Sequence, residues 1–142
     1  STLAEQIIEP ALALGAAMES EFTLLRIVEP LFPLYNYLAQ TKDLDEAEIQ
    51  AAWRYLHQAA DRLSATGRRI YQRVLLTTPP AQAILADARR QEKVIIAIAT
   101  QGLSGLHRLM MGSVADKVLR GSDGPVLIYR PQAAPSVAIG DG

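Results

Sequence analysis

Cysteine is absent from this sequence. That excludes a disulfide framework and any thiolate metal site, and it fits a reducing compartment. Only two histidines are present, His57 and His107, and they are far apart in the chain. Two distant histidines do not make a metal centre. Net charge is also lacking, at a formal -1, so there is no basic footprint for DNA or RNA. No apolar run approaches the length needed to span a membrane, and no basic-then-apolar leader opens the chain. The expected localisation is cytoplasmic. The remainder is ordinary for a globular protein: 142 residues, 49% hydrophobic and 20% charged, enough for one domain with its own core.

Helix-like and strand-like segments alternate along the chain. Residues 3–18 read as a helix with Leu3, Ile7, Ile8, Leu12 and Leu14 on an apolar stripe, despite Pro10 and Gly15. Residues 21–29 read as a strand. Pro30 and Pro33 then open a loop over 30–45 whose aromatic part, 30–38, is a candidate partner surface or, equally, a segment buried beneath the long helix that follows. Residues 45–67 predict a long helix, with Ile49, Trp53, Leu56, Ala60 and Leu63 on one face, acidic residues at its start and Gly67 at its end. Residues 69–76 predict a strand and 79–91 a helix opened by proline. The run 94–99 is apolar throughout, as in a strand covered on both faces. Residues 113–121 predict a helix with Ser113 and Asp116 in capping-box spacing, and 125–130 a last strand. This order implies a parallel sheet with helices on both faces.

Between the apolar run and the 113–121 helix lies a loop marked by Gly102 and Gly112. In α/β folds such a loop, at the carboxyl end of a strand, is where ligands bind. Helix amides carry partial positive charge, and glycine lets the backbone approach an anion closely. The amides of Ser113 and Val114 and the Ser113 hydroxyl fit a phosphate. The same residues also fit a plain turn and N-cap. The spacing matches neither a Walker loop nor the dinucleotide fingerprint, and no nucleophile elbow is formed. His107 and Arg108 read as solvated side chains and His57 as a structural one. No nucleophile, base and orienting acid can be assembled, so a hydrolase or transferase is disfavoured.

Over nearly its whole length the chain resembles the universal stress protein family. The resemblance is carried by 1–30, by "PPAQAILADAR" and above all by "ATQGLSGLHRLMMGSVADKVLRGSDGPVLIYRP". The family's nucleotide-binding members carry G-x2-G-x9-G-[S/T]; here Ala99 replaces the first glycine, while Gly102, Gly112 and Ser113 match. The resemblance implies a doubly wound open α/β sheet of order 3-2-1-4-5 and a homodimer formed through the last strand, 125–130. For one subgroup it implies ATP, with magnesium, and at most a slow ATPase or autophosphorylation activity. Carried over by position, the site comprises Ile27 near the adenine, then Ala99, Thr100, Gln101, Gly102, Gly112, Ser113 and Val114 around the phosphates. Unknown protein partners are implied, and a nucleotide-free dimeric scaffold is the alternative function.

The family's first strand is missing ahead of Ser1. The expected universal stress protein domain is 1–131, and 132–142 is a linker with a possible strand at 136–140. The tail "SVAIGDG", placed before Ser1, resembles that first strand running into the first helix. Two expectations follow. The tail is an extension or the opening of a second domain, or it supplies the first strand, permuted or exchanged across a dimer. Exchange brings Asp141 to the partner's nucleotide site.

Overall fold

The computed structural model describes residues 2–31, 39–100 and 111–132. Five helices and four strands alternate among them: α1 (Thr2–Glu5), α2 (Ile8–Ala17), β1 (Phe22–Val28), α3 (Ala39–Ser64), β2 (Ile70–Leu76), α4 (Pro80–Ala88), β3 (Ile96–Ala99), α5 (Ser113–Gly121) and β4 (Val126–Tyr129). The strands form two parallel pairs. β1 lies beside β2 with Phe22 opposite Ile70 and Val28 opposite Leu76; β3 lies beside β4 with Ile96 opposite Val126 and Ala99 opposite Tyr129. Among the described residues no ladder joins one pair to the other. The pairs agree with the neighbours 3-2 and 4-5 of the expected order. The tail segment expected as a first strand, 136–140, lies outside the described residues, as does most of the aromatic segment 30–38.

Several boundaries differ from the sequence reading for physical reasons. The helix expected over 3–18 is divided at residues 6–7, and this places Pro10 in the first turn of α2. There its missing N–H removes no helical bond. The first bond of α2 runs from the Ala11 amide to the Ile7 carbonyl at 3.0 Å. The loop expected over 30–45 is shorter, because α3 already begins at Ala39 and runs about 39 Å at the usual rise per residue. Asp45, on α3, is buried, and its carboxylate accepts the Leu31 amide at 3.1 Å, tying the exit of β1 to the helix. At the other end α3 stops at Ser64, and Gly67 takes a φ of +74°, a region open to glycine.

The buried core is small and rich in alanine: Val28 from β1, Ala52, Leu56, Ala59 and Ala60 from α3, Ala81 from α4, and Ala115 and Val118 from α5. Small side chains let α4 and α5 approach closely over the sheet. Arg73 of β2 reaches Asp87 of α4 at 2.7 Å in a half-buried ion pair. β3 is not covered on both faces as its apolar run predicts. Ala97 is exposed, and Ile96, Ile98 and Ala99 are only half-buried. β1 likewise has Val28 as its one buried residue.

Polar side chains fasten α1 to two distant parts of the chain. Glu5 accepts from the Tyr55 hydroxyl at 2.7 Å and from Arg62 at 2.8 Å, both on α3. Gln6, the next residue, exchanges two hydrogen bonds with the backbone of Gln132, each at 2.9 Å. Burial, followed by the hydrogen bond and charge of Glu5, pushes the Tyr55 hydroxyl up to about 12. Because the folded chain holds this proton after the unfolded chain has released it, the associated stability is present below about pH 10 and is lost as pH rises toward 12. Tyr55→Phe should lower the unfolding free energy at neutral pH by about 0.5–1.5 kcal/mol and flatten its decline between pH 10 and 12, as read by denaturant titrations. Equal alkaline slopes in both proteins would show that Tyr55 does not carry the effect. A second prediction concerns the backbone of α2, where a Cβ on Gly15 would collide with the Phe22 ring. Gly15→Val should cost about 1–3 kcal/mol of stability by the same measurement; an unchanged midpoint would contradict this packing.

Candidate functional site

The residues that the sequence marks for binding fall at strand and helix ends. Ile27 is the penultimate residue of β1, half-buried and opposite Leu75. Ala99 is the last residue of β3 and is also half-buried. Thr100 follows it, donating its amide to the Tyr129 carbonyl at 2.9 Å with its hydroxyl 3.5 Å from the same oxygen. Gly112, Ser113 and Val114 lie where α5 begins. Gln101, Gly102 and Asp141, with His107 and Arg108, lie outside the described residues.

Helix α5 starts one residue earlier than capping-box spacing suggests. Gly112 is the N-cap, with φ -57° and ψ 152°, Ser113 is the first helical residue, and no side chain caps the end. The first helical bond runs from the Asp116 amide to the Gly112 carbonyl at 3.0 Å. The amides of Ser113, Val114 and Ala115 therefore have no acceptor within the helix. The Ser113 side chain is exposed, free of the capping role that the spacing suggests. Ala115 and Val118 are buried and seat the helix, while Ser113 at its amino end is exposed and Gly112 and Val114 are half-buried. Asp116, in the first turn, pairs with Arg120 at 3.0 Å. The Arg120 guanidinium thus partly offsets an acid that would otherwise oppose an anion at this end.

Ala99 occupies regular strand geometry in register with Tyr129, and it is not among the described residues of positive φ. Alanine is therefore unstrained there. What it adds relative to glycine is one methyl group at the end of β3. Among the described residues no group of acidic or histidine side chains could hold a metal ion. His57 has a local role, as its Nδ1 lies 2.8 Å from the Trp53 carbonyl one turn earlier on α3.

Two features of the surface were not legible in the sequence. A cleft of about 230 Å³ lies at the amino ends of β3 and β4, lined by Lys93, Val94, Ile96 and Pro125 beside the Arg89–Asp123 pair. It is on the opposite side from the α5 amides, because Ile96 and Val126 begin their strands and Ala99 and Tyr129 end them. A second hollow lies between α2 and α3, lined by Ile8, Leu12, Ala59 and Leu63. At the carboxyl ends of β1 and β2, the Thr78 hydroxyl meets Glu29 at 3.3 Å, an addition to the polar rim that neither residue signalled alone.

Residues 1–130 match the model of the universal stress protein family. A Thermus aquaticus universal stress protein, from the region 3′ of a QAH/OAS sulfhydrylase, is 30% identical over 75% of this chain and 77% of its own length. The chain spans about a third of the length of its Methanocaldococcus jannaschii and Bacillus subtilis relatives, 33% and 34%. Among solved structures, the universal stress protein UspA of Lactobacillus plantarum superposes with a TM-score of 0.75 at 17% identity, over 89% of this chain and 88% of that one. A universal stress protein in complex with cAMP superposes with a TM-score of 0.57 at 21% identity, over 93% and 90%. No helix among the described residues is long and apolar enough to cross a membrane. With its alternation of helices and parallel strands and this match across almost its entire length, the chain belongs to the universal stress protein family.

Proposed function

We propose that the chain binds an adenine nucleotide through the amino end of α5 and acts as a stress-response sensor or interaction module. The observation that carries this reading is the first bond of the helix. With Asp116 the first residue to donate within α5, three successive amides remain available beside a glycine N-cap. This is an arrangement suited to phosphate oxygens. Gly102 and Gln101 complete the loop in this reading, Thr100 lines it, and Ile27 offers an apolar surface to the base. ATP, with magnesium on its phosphates, fits such a donor set. The fold neighbour in complex with cAMP supports the adenine part of the reading.

The proposal includes a homodimer through 125–130. The Pro125 and Tyr129 carbonyls accept from β3. By alternation, the backbone groups of Val126 and Ile128 point to the outer edge of β4, where they are available to a second copy. A nucleotide-free scaffold is the competing reading, and the methyl of Ala99 favours it.

Nucleotide released from denatured protein and identified by mass spectrometry tests the first part. Calorimetric titration with ATP and cAMP should then show Gly112→Val weakening binding by about tenfold or more. The φ at this position is open to any residue, so the fold persists. Ala99→Gly should tighten binding. No binding in any variant would leave the scaffold reading, and equal affinity in Gly112→Val would refute the assignment to α5. For the dimer, Ile128→Pro removes an outward amide that the β3 ladder does not use. Analytical ultracentrifugation should give a dimer for the parent chain and a monomer for this variant; a dimeric variant would place the interface elsewhere.

A further inference from the structure

Strand β2 has two edges, and the ladder with β1 uses one of them. The Thr77 amide donates to the Val28 carbonyl at 2.9 Å, so Leu75, Arg73 and Tyr71, at two-residue intervals before it, also direct their backbone groups toward β1. Ile70, Gln72, Val74 and Leu76 direct theirs outward, where no strand lies beside them among the described residues. Proteins ordinarily guard such an edge with lysine, proline, a bulge or a very short strand. β2 has seven residues, contains neither lysine nor proline, and keeps an unbroken register with β1 from Ile70 to Leu76. Its outer side is therefore a ready template for another strand.

The two faces of β2 differ in what covers them. Arg26, opposite Val74, has its guanidinium 5.9 Å from the centre of the Tyr55 ring of α3, and α3 packs on β2. Ile70, Gln72, Val74 and Leu76 share that face by alternation, and Tyr71, Arg73 and Leu75 lie on the other. Helix α4 reaches this second face through Asp87, which pairs with Arg73, but packs on β1. Tyr71 is consequently 37% exposed. Arg69, just before the strand, is exposed, and its guanidinium lies 5.2 Å from the centre of the Tyr71 ring. Stacking of this kind orients a guanidinium while its N–H edge stays available to a carboxylate. Among the described residues Arg73 has Asp87 as its ion-pair partner, whereas Arg69 has none.

We propose that the outer edge of β2 binds an extended acidic segment of a partner protein, which adds a strand beside Ile70–Leu76. Main-chain bonds to Gln72, Val74 and Leu76 supply the pairing, and side chains of alternating character on the added strand supply the specificity. On one face its acidic side chains meet Arg69 and offset the positive charge beside Tyr71. On the other its side chains lie along Val74 and Leu76, the latter 42% exposed, so that face is apolar. Charge decides between this occupant and a second copy of the chain. Antiparallel pairing of β2 with its own counterpart would gather Arg69 and Arg73 of both copies on one face, four guanidiniums against two Asp87 carboxylates. Like charges facing each other across a strand pair oppose it, whereas an acidic strand removes the excess. The edge belongs to the first strand pair and takes no residue from the α5 site, so this inference stands apart from nucleotide binding.

Two end-blocked peptides of the length of β2, one alternating valine with glutamate and one alternating valine with lysine, test this on the 142-residue chain. Fluorescence anisotropy of the labelled peptides should show the glutamate peptide binding and the lysine peptide binding about tenfold more weakly or worse. At saturation with the glutamate peptide, the amides of Gln72, Val74 and Leu76 should exchange with solvent about tenfold more slowly, while those of Tyr71, Arg73 and Leu75, already bonded to β1, keep their rates. Arg69→Glu, at an exposed position, should weaken binding about tenfold. Val74→Pro removes an outward amide that the β1 ladder does not use, and it should abolish the slowing. Absence of binding, equal binding of the two peptides, binding without slowed exchange, or binding that survives both variants would each overturn the proposal. Outward amides already protected before peptide is added would overturn it as well. Protection that rises with protein concentration would assign the edge to a second copy, and protection independent of concentration would assign it to the chain's own residues.

Discussion

Parallel pairing of strands imposes the condition from which the remaining features of this molecule follow. Each ladder satisfies one edge of each strand and connects strands that run the same way, so every connection must be a crossover. Helix α3 links β1 to β2, α5 links β3 to β4, and α4 carries the chain from one pair to the other. The core accordingly lies between helices and sheet and is built from alanines with Leu56, Val28 and Val118. Small side chains permit close approach, but each buries little apolar area. Side-chain ties such as Arg73–Asp87 and Glu5 with Tyr55 and Arg62 join elements that the small core alone holds weakly.

The alternation of elements, and most of their positions, could be read from hydrophobic periodicity. Residues 113–121 coincide with α5 because their polar and apolar residues separate cleanly around the helix and glycines bound it at both ends. The start of α3 was hidden, because residues 39–44 carry no apolar stripe. What fixes that end is a long-range bond from the Leu31 amide to Asp45, which spacing along the chain does not reveal. The break between α1 and α2 was masked by continuous apolar periodicity, although Pro10 hinted at it. Strand β3 has the composition of a strand covered on both faces, but Ala97 is exposed and, among the described residues, β4 is the strand beside it. Composition records what a strand is suited to, whereas exposure records which neighbours are beside it.

The candidate site was legible to a similar degree. Gly112 and Ser113 were recognisable from spacing, and the helix begins there with its first amides free. The division of roles was not legible. Spacing gave Ser113 the cap, whereas the backbone gives it to Gly112, because a serine with helical dihedrals cannot fold its hydroxyl back as an N-cap does. Alanine at position 99 looked like a steric departure from the family's glycine, and regular strand geometry accommodates it without strain.

The neighbours Glu5 and Gln6 grip opposite regions of the polypeptide, the first on α3 and the second on the backbone after β4. Helix α1 contains only four residues. The end of α1 and the turn after it nevertheless work as a yoke: α3, which follows β1, and the chain leaving β4 are both tied to Glu5 and Gln6. Loss of either side chain would therefore detach one half from this segment while the other stayed held, so the two attachments are separable although the residues are neighbours.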